Sequence, residues 1–189
     1  MPRKTPKRVS PEYLRRVARW YIDRWFGSSA SLRRTLMRRV YRAVAHHQQD
    51  REELTAWVDE VVAEFVANGL VNDLAFARET ARRAFERGTS RRAIIAKLAT
   101  KGIRAELREQ VLEELQEELD ESTDLVAAAR YARRRGFGPF RRPDQREARA
   151  DKDLAAMVRA GFSYSLARET LQAETRDELD ERIMTSRGW

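Results

Sequence analysis

The 189-residue chain contains no cysteine. A disulfide framework, a thiolate metal site and a cysteine nucleophile are thereby excluded. Proline and glycine are scarce, five and eight in all, so the tight turns that hairpins need are poorly supplied. The prolines also sit at edges: Pro2, Pro6 and Pro11 near the start, Pro139 and Pro143 in one short segment. The two histidines, His46 and His47, are adjacent. On a helix such neighbours point about 100° apart, so they cannot ligate one metal together. There is no apolar run of the roughly 18 residues that a membrane-spanning helix requires. The basic start MPRKTPKR leads into no apolar stretch, which predicts no secretory signal and a soluble, cytoplasmic chain.

Charge, by contrast, is abundant, at 36% of residues. That load favours many exposed helical faces over one deep core, and with so few turn residues it predicts an all-α fold. The charge is unevenly placed. Residues 1–48 hold 13 Lys/Arg against 2 Asp/Glu, residues 49–123 hold 11 against 17, and residues 124–189 hold 14 against 11. A basic start and end around an acidic middle, with a net charge of +8, favour partners that carry a negative field.

The apolar period is helical throughout. Ser10-Pro11 is a helix start, with serine as N-cap and proline at the first helical position. Leu14, Val17, Ala18, Tyr21 and Trp25 follow on one stripe, widened by Trp20, Ile22 and Phe26, so this helix is expected to be covered from two sides. A second helix begins at Ser29–Ser31, burying Leu32, Leu36, Val40 and Val44 and presenting Arg34, Arg38, Arg39 and Arg42 outward. A third starts at Asp50, with Glu53 placed as in a capping box, and closes at Asn68-Gly69, where Leu70 is expected to pack back on the last turn. Asn72 or Asp73 caps the next helix, and GTSRRAIIAKLATKGI at residues 88–103 supplies the one after it. A long helix with Leu107, Val111, Leu112 and Leu115 then runs into EELQEELDE, whose carboxylates read as a solvated face. Asp124 caps a further helix, and the loop GFGPFRRP leads to helices carrying Leu154, Met157, Leu166 and Leu171.

Placing Gly161 over Gly102, an offset of 59 residues, exposes an internal repeat. Ile95, Leu98, Ile103, Leu107 and Leu112 fall on Leu154, Met157, Phe162, Leu166 and Leu171. The expected architecture is a tandem array of three three-helix, helix-turn-helix-like repeats. Its divisions are a basic disordered tail at 1–9, repeats at 10–69, 70–122 and 123–173, and a polar, fraying tail at 174–189.

The chain offers no catalytic or metal-binding constellation. GFGPFRR lacks the GK[ST] of a phosphate loop, and the acidic run has no calcium-loop spacing, so no enzyme and no cofactor are expected. A helix-turn-helix DNA reader is disfavoured as well. The helix that would enter the major groove, residues 104–121, holds eight carboxylates against two arginines, and a polyanion would repel it. The aromatic residues are expected in the core, apart from Phe140, which adjoins Arg141 and Arg142 and is placed to stack on a base.

The segment GLVNDLAFARETARRAFERGTSRRAIIAKLATKGI, residues 69–103, resembles the hallmark of the RecX family. RRGFGPF and RAGFSYSLARETL resemble the pattern of its third repeat. Asn72 stands where the family's first acid of a pair does, and no Lys-Gly stop follows Val40. The resemblance implies an elongated, curved helical stack that lodges in the groove of the RecA–DNA filament. It also implies lowered ATPase, strand-exchange and coprotease activity of RecA, a role in DNA repair, recombination and the SOS response, and a monomer as the acting form. The family has no strict ligand motif. The contact candidates are therefore the basic positions Arg82, Arg83, Arg87, Arg91, Arg92, Lys97, Lys101 and Arg104, with Arg133, Arg134, Arg135, Arg141 and Arg142 in the third repeat. The competing reading is a stand-alone basic module that binds DNA or RNA directly.

Overall fold

The structure, a computed structural model, describes residues 6–119 and 123–185. Among them every regular element is helical. The α-helices are α1 (Pro11–Ile22), α2 (Ser29–His47), α3 (Arg51–Ala67), α4 (Asp73–Glu86), α5 (Arg91–Thr100), α6 (Ala105–Leu119), α7 (Thr123–Arg135), α8 (Pro143–Arg159), α9 (Tyr164–Gln172) and α10 (Arg176–Thr185), with a 3-10 turn at Gly138–Phe140.

The helix starts follow from local chemistry. The first amide groups of a helix have no intrahelical partner, and a short polar side chain just before them supplies one. Ser10 accepts from the amide of Tyr13, Ser28 from Ser31, Asp50 from Glu52 and Glu53, and Ser163 from Leu166. The Asn72 side chain accepts from Ala75, which makes it the cap of α4. Asp73 instead accepts from both the amide and the hydroxyl of Ser29, at 2.7 and 2.6 Å.

The chain divides into two compact units, residues 1–76 with 101–103, and residues 77–100 with 104–189. In the first, α1, α2 and α3 close on a core of Leu14, Leu32, Leu36, Val40, Leu54, Val58, Val61 and Phe65, each almost wholly buried. Taken at about 1.5–3 kcal/mol for a fully buried aliphatic or aromatic side chain, such burial is the main stabilising term. Helix α3 ends in a Schellman turn, with Leu70 N donating to Phe65 O, Gly69 N donating to Val66 O, and Gly69 at φ +68°. Val71, not Leu70, returns to the core, and Leu70 stays exposed.

Part of the basic N-terminal segment is ordered. Val9 is buried and exchanges two backbone hydrogen bonds with the Gln49 side chain, while His47 Nε2 donates to Pro6 O at 2.7 Å. Residues 1–5 of the expected tail lie outside the described residues.

In the second unit α7, α8 and α9 pack together, and α10 is a tenth helix where fraying was expected. Leu179 on α10 is fully buried with Leu125, Ala129 and Ala173, and Ile183 packs against the same cluster, so two apolar residues in a polar stretch seat the element. At two of the matched pairs burial agrees: Leu98 and Met157 are both fully buried, Ile103 and Phe162 nearly so, and Gly102 and Gly161 both have positive φ.

Each unit also contains the same close contact. In the first, the Ser28 hydroxyl donates to the main-chain oxygen of Lys101 at 2.6 Å, and the adjoining Gly102 leaves no room for a Cβ, which would lie 2.3 Å from that of Ala30. In the second, the Ser90 hydroxyl donates to Ala160 O at 2.7 Å, and a Cβ on Gly161 would lie 2.5 Å from Ser90 Oγ. Ser28 and Ser90 are both buried. The serine that opens GTSRR and the glycine that closes KGI are thus two halves of one recurrent device.

Candidate functional site

The contact residues expected from the sequence separate into three groups. The first is neutralised within the second unit. Arg82 pairs with Glu118 and Arg91 with Glu109, both across to α6, while Arg83 pairs with Glu79 one turn back. Arg78, beside them on α4, grips Glu114 through Nε and Nη2 at 2.7 and 2.8 Å. The Arg78 guanidinium, with help from Gln110, lowers the Glu114 carboxyl to about 2. The acidic face of α6 is therefore not merely solvated: it carries the counter-charges of α4 and α5. Exposed pairs of this kind contribute little individually, because solvent screens them.

The second group is structural. Arg141 holds Asp153 in a two-pronged pair at 2.9 and 2.8 Å, and both side chains are largely buried. Arg146, which the sequence did not single out, ties the same loop together by donating to the carbonyl oxygens of Arg141, Pro139 and Glu174. Gly138, at φ +51°, passes so close to Leu171 that a Cβ on it would lie 2.8 Å from Leu171 Cα. Phe140 is half-buried against the α10 cluster and covered by Arg176. GFGPFRRP is thus a locked corner, and Phe140 is no stacking platform.

The third group is exposed and, among the described residues, meets no carboxylate: Arg87, Arg92, Lys97, Arg104 and Arg133. Arg134 and Arg135 lie over the rings of Tyr131 and Phe137, and Arg142 stands with Asp144 at the start of α8. Lys101 belongs to the first unit.

There Lys101 joins a site that the apolar pattern concealed. Helix α1 stops at Ile22, and the amides of Arg24 and Trp25 both turn back to Tyr21 O. The turn carries Trp25 and Phe26 off the buried stripe. They are 61% and 62% exposed, and Trp20, on the helix itself, is 48% exposed. These rings, with Tyr21 and Phe76, wall a groove of about 480 Å³ whose other side is Ser31, Thr35, Arg38, Arg39, Arg42 and Lys101. None of the residues lining it is acidic. Ser31, Thr35, Arg38 and Arg42 follow one another at i, i+4, i+7 and i+11, a single stripe of α2. Arg38 donates to the Thr35 hydroxyl at 3.0 Å, and Arg24 lies 5.3 Å from the Trp20 ring centre. Gly27 lets the Tyr21 hydroxyl close the floor, since a Cβ there would lie 2.4 Å from it. The period-3.6 stripe alone placed Trp20, Trp25 and Phe26 inside; the helix stop at Ile22 puts Trp25 and Phe26 outside, while Trp20 sits on a face of α1 that stays uncovered.

Among the described residues no group of three side chains is disposed to hold a metal ion, and no helix is long and apolar enough to cross a membrane.

Residues 72–112 match the family described as RecX, second three-helix domain. A protein of Myxococcus xanthus named Regulatory protein RecX is 39% identical over 171 residues, covering 90% of this chain and 90% of its own length. A protein of Agrobacterium fabrum with the same name is 34% identical over 110 residues, 58% of this chain and 56% of that protein. No solved structure gives a significant match.

Proposed function

This chain belongs to the RecX family, and from that premise we propose that it is a non-catalytic regulator that binds the RecA–DNA filament and restrains it. The observation that carries the reading is the 39% identity sustained over nine-tenths of both chains. The helical repeat architecture supports it, because such arrays present long faces suited to long targets rather than enclosed sites suited to small ones. A filament of protein and DNA is long, periodic and anionic. The exposed cations Arg87, Arg92, Lys97, Arg104 and Arg133 suit its phosphates, since among the described residues none is already spent on a carboxylate. In this reading the protein acts as a monomer, with repeats at 10–69, 70–122 and 123–173, and meets DNA directly or through the filament. It limits RecA ATPase, strand exchange and coprotease activity, and through them DNA repair and the SOS response.

The test is ATP turnover by RecA on single-stranded DNA. Added protein is expected to depress turnover at less than one copy per RecA. Turnover that stays unchanged at equal amounts overturns the reading.

A further inference from the structure

We propose that the groove of the first unit is a single-strand nucleic-acid site, in which an unpaired base stacks among Trp20, Trp25 and Phe26 while flanking phosphates rest on Arg38, Arg39, Arg42 and Lys101. Two observations meet here. Large aromatic side chains are normally buried, and a cluster of three at about half exposure or more on one short segment marks a surface kept open for a partner. The same groove has four cations and no acid, and among the described residues no carboxylate neutralises Arg38, Arg39, Arg42 or Lys101.

The composition selects the occupant. An apolar helix would leave four cations desolvated and unpaired, which is costly. A duplex satisfies the cations, but its bases are stacked on one another and offer no face to the rings. An acidic peptide satisfies the cations as well, yet uses neither the planarity nor the number of the aromatics. An unpaired nucleotide uses both halves: every base has a π-face, and every linkage carries a charge. The volume, about 480 Å³, lies in the range of sites for a small organic group. Arg24 already covers one face of Trp20, which leaves its other face, Trp25 and Phe26 as the platform. The site stands apart from the regulator reading, because its test contains no RecA and each can fail alone.

The full chain is titrated into a labelled oligothymidylate of about 16 nucleotides, into the matching duplex, and into the labelled strand with a Glu-rich peptide as competitor. Single-strand affinity is expected to exceed duplex affinity. The pair Trp25→Ala and Phe26→Ala is expected to weaken it by about tenfold or more, as removal of base stacking does. Arg38→Gln with Arg42→Gln is expected to weaken binding and flatten its salt dependence by about 0.7 in log–log slope for each phosphate no longer neutralised. Arg149→Gln, at an exposed position of α8 in the other unit, is the control and leaves single-strand affinity, duplex affinity and salt slope unchanged. All the altered side chains are exposed, so circular dichroism should match the unaltered chain. Equal affinity for strand and duplex, no effect of the aromatic pair, or displacement by the Glu-rich peptide at lower concentration than by unlabelled strand would each overturn the assignment.

Discussion

At the scale of single residues, two serines and two glycines do more than their size indicates. Ser90 is buried, accepts from Ala93 N as a cap and donates to Ala160 O. Ser90→Ala removes both bonds and leaves a part-buried carbonyl without its partner, so a loss of about 1–3 kcal/mol is expected in a urea titration. Gly161→Ala is expected to cost a similar amount, because φ there is +95° and the new methyl meets the Ser90 oxygen. The two changes should not add. Removing the hydroxyl relieves part of the collision, so the double variant is expected to be less destabilised than the sum, and simple additivity would show the contact to be unimportant. The glycine was legible in the sequence as a helix stop and as a repeat marker. Its serine partner, 71 positions away, was legible only as a cap, since nothing local announces which distant carbonyl a hydroxyl will find.

Among elements, α6 and α10 depart from what their sequences predict, for opposite reasons. The carboxylates of α6 looked idle because charge runs usually face water, but Arg78, Arg82 and Arg91 arrive from α4 and α5, which periodicity cannot show. The Glu114 carboxyl, held well below its ordinary value of 4.5 by Arg78 and then Gln110, stabilises the folded chain fully at pH above that value. The contribution is lost as pH falls from 4.5 toward about 2. Stability measured against pH is therefore expected to show Glu114→Gln below the unaltered chain at neutral pH, with the gap closing in that acid window. A gap that stays constant down to the acid limit would show that the ion pair is not its cause. The polar sequence of α10 predicts a fraying end, yet Leu179, with Ile183 beside it, docks the helix. Leu179→Ala is expected to destabilise the second unit by about 2–5 kcal/mol, read as a lower urea midpoint, the usual range for a leucine emptied from a sealed core.

For the molecule as a whole, the sequence made the helical class and the repeat register plain, because burial with a 3.6-residue period is written in the order of apolar residues. The aromatic groove stayed hidden, because a stripe does not say where its helix ends. Charge belongs to this scale too. Folding rests on apolar cores and on exposed ion pairs of little individual worth, while any anionic partner is met through unneutralised cations. If the proposed RecA inhibition and single-strand binding hold, raising salt from about 50 to about 200 mM is expected to cut both steeply, with the urea midpoint almost unmoved. A midpoint falling in step with binding would place the salt effect in the fold instead. The serine contact, finally, reaches a main-chain oxygen and is indifferent to the side chain that the acceptor residue bears. One copy has lysine at that position and the other alanine, Lys101 and Ala160. Such a position is free to carry different chemistry while the joint it serves stays intact. The lysine borders an aromatic cleft and the alanine does not, so one joint serves two different surfaces.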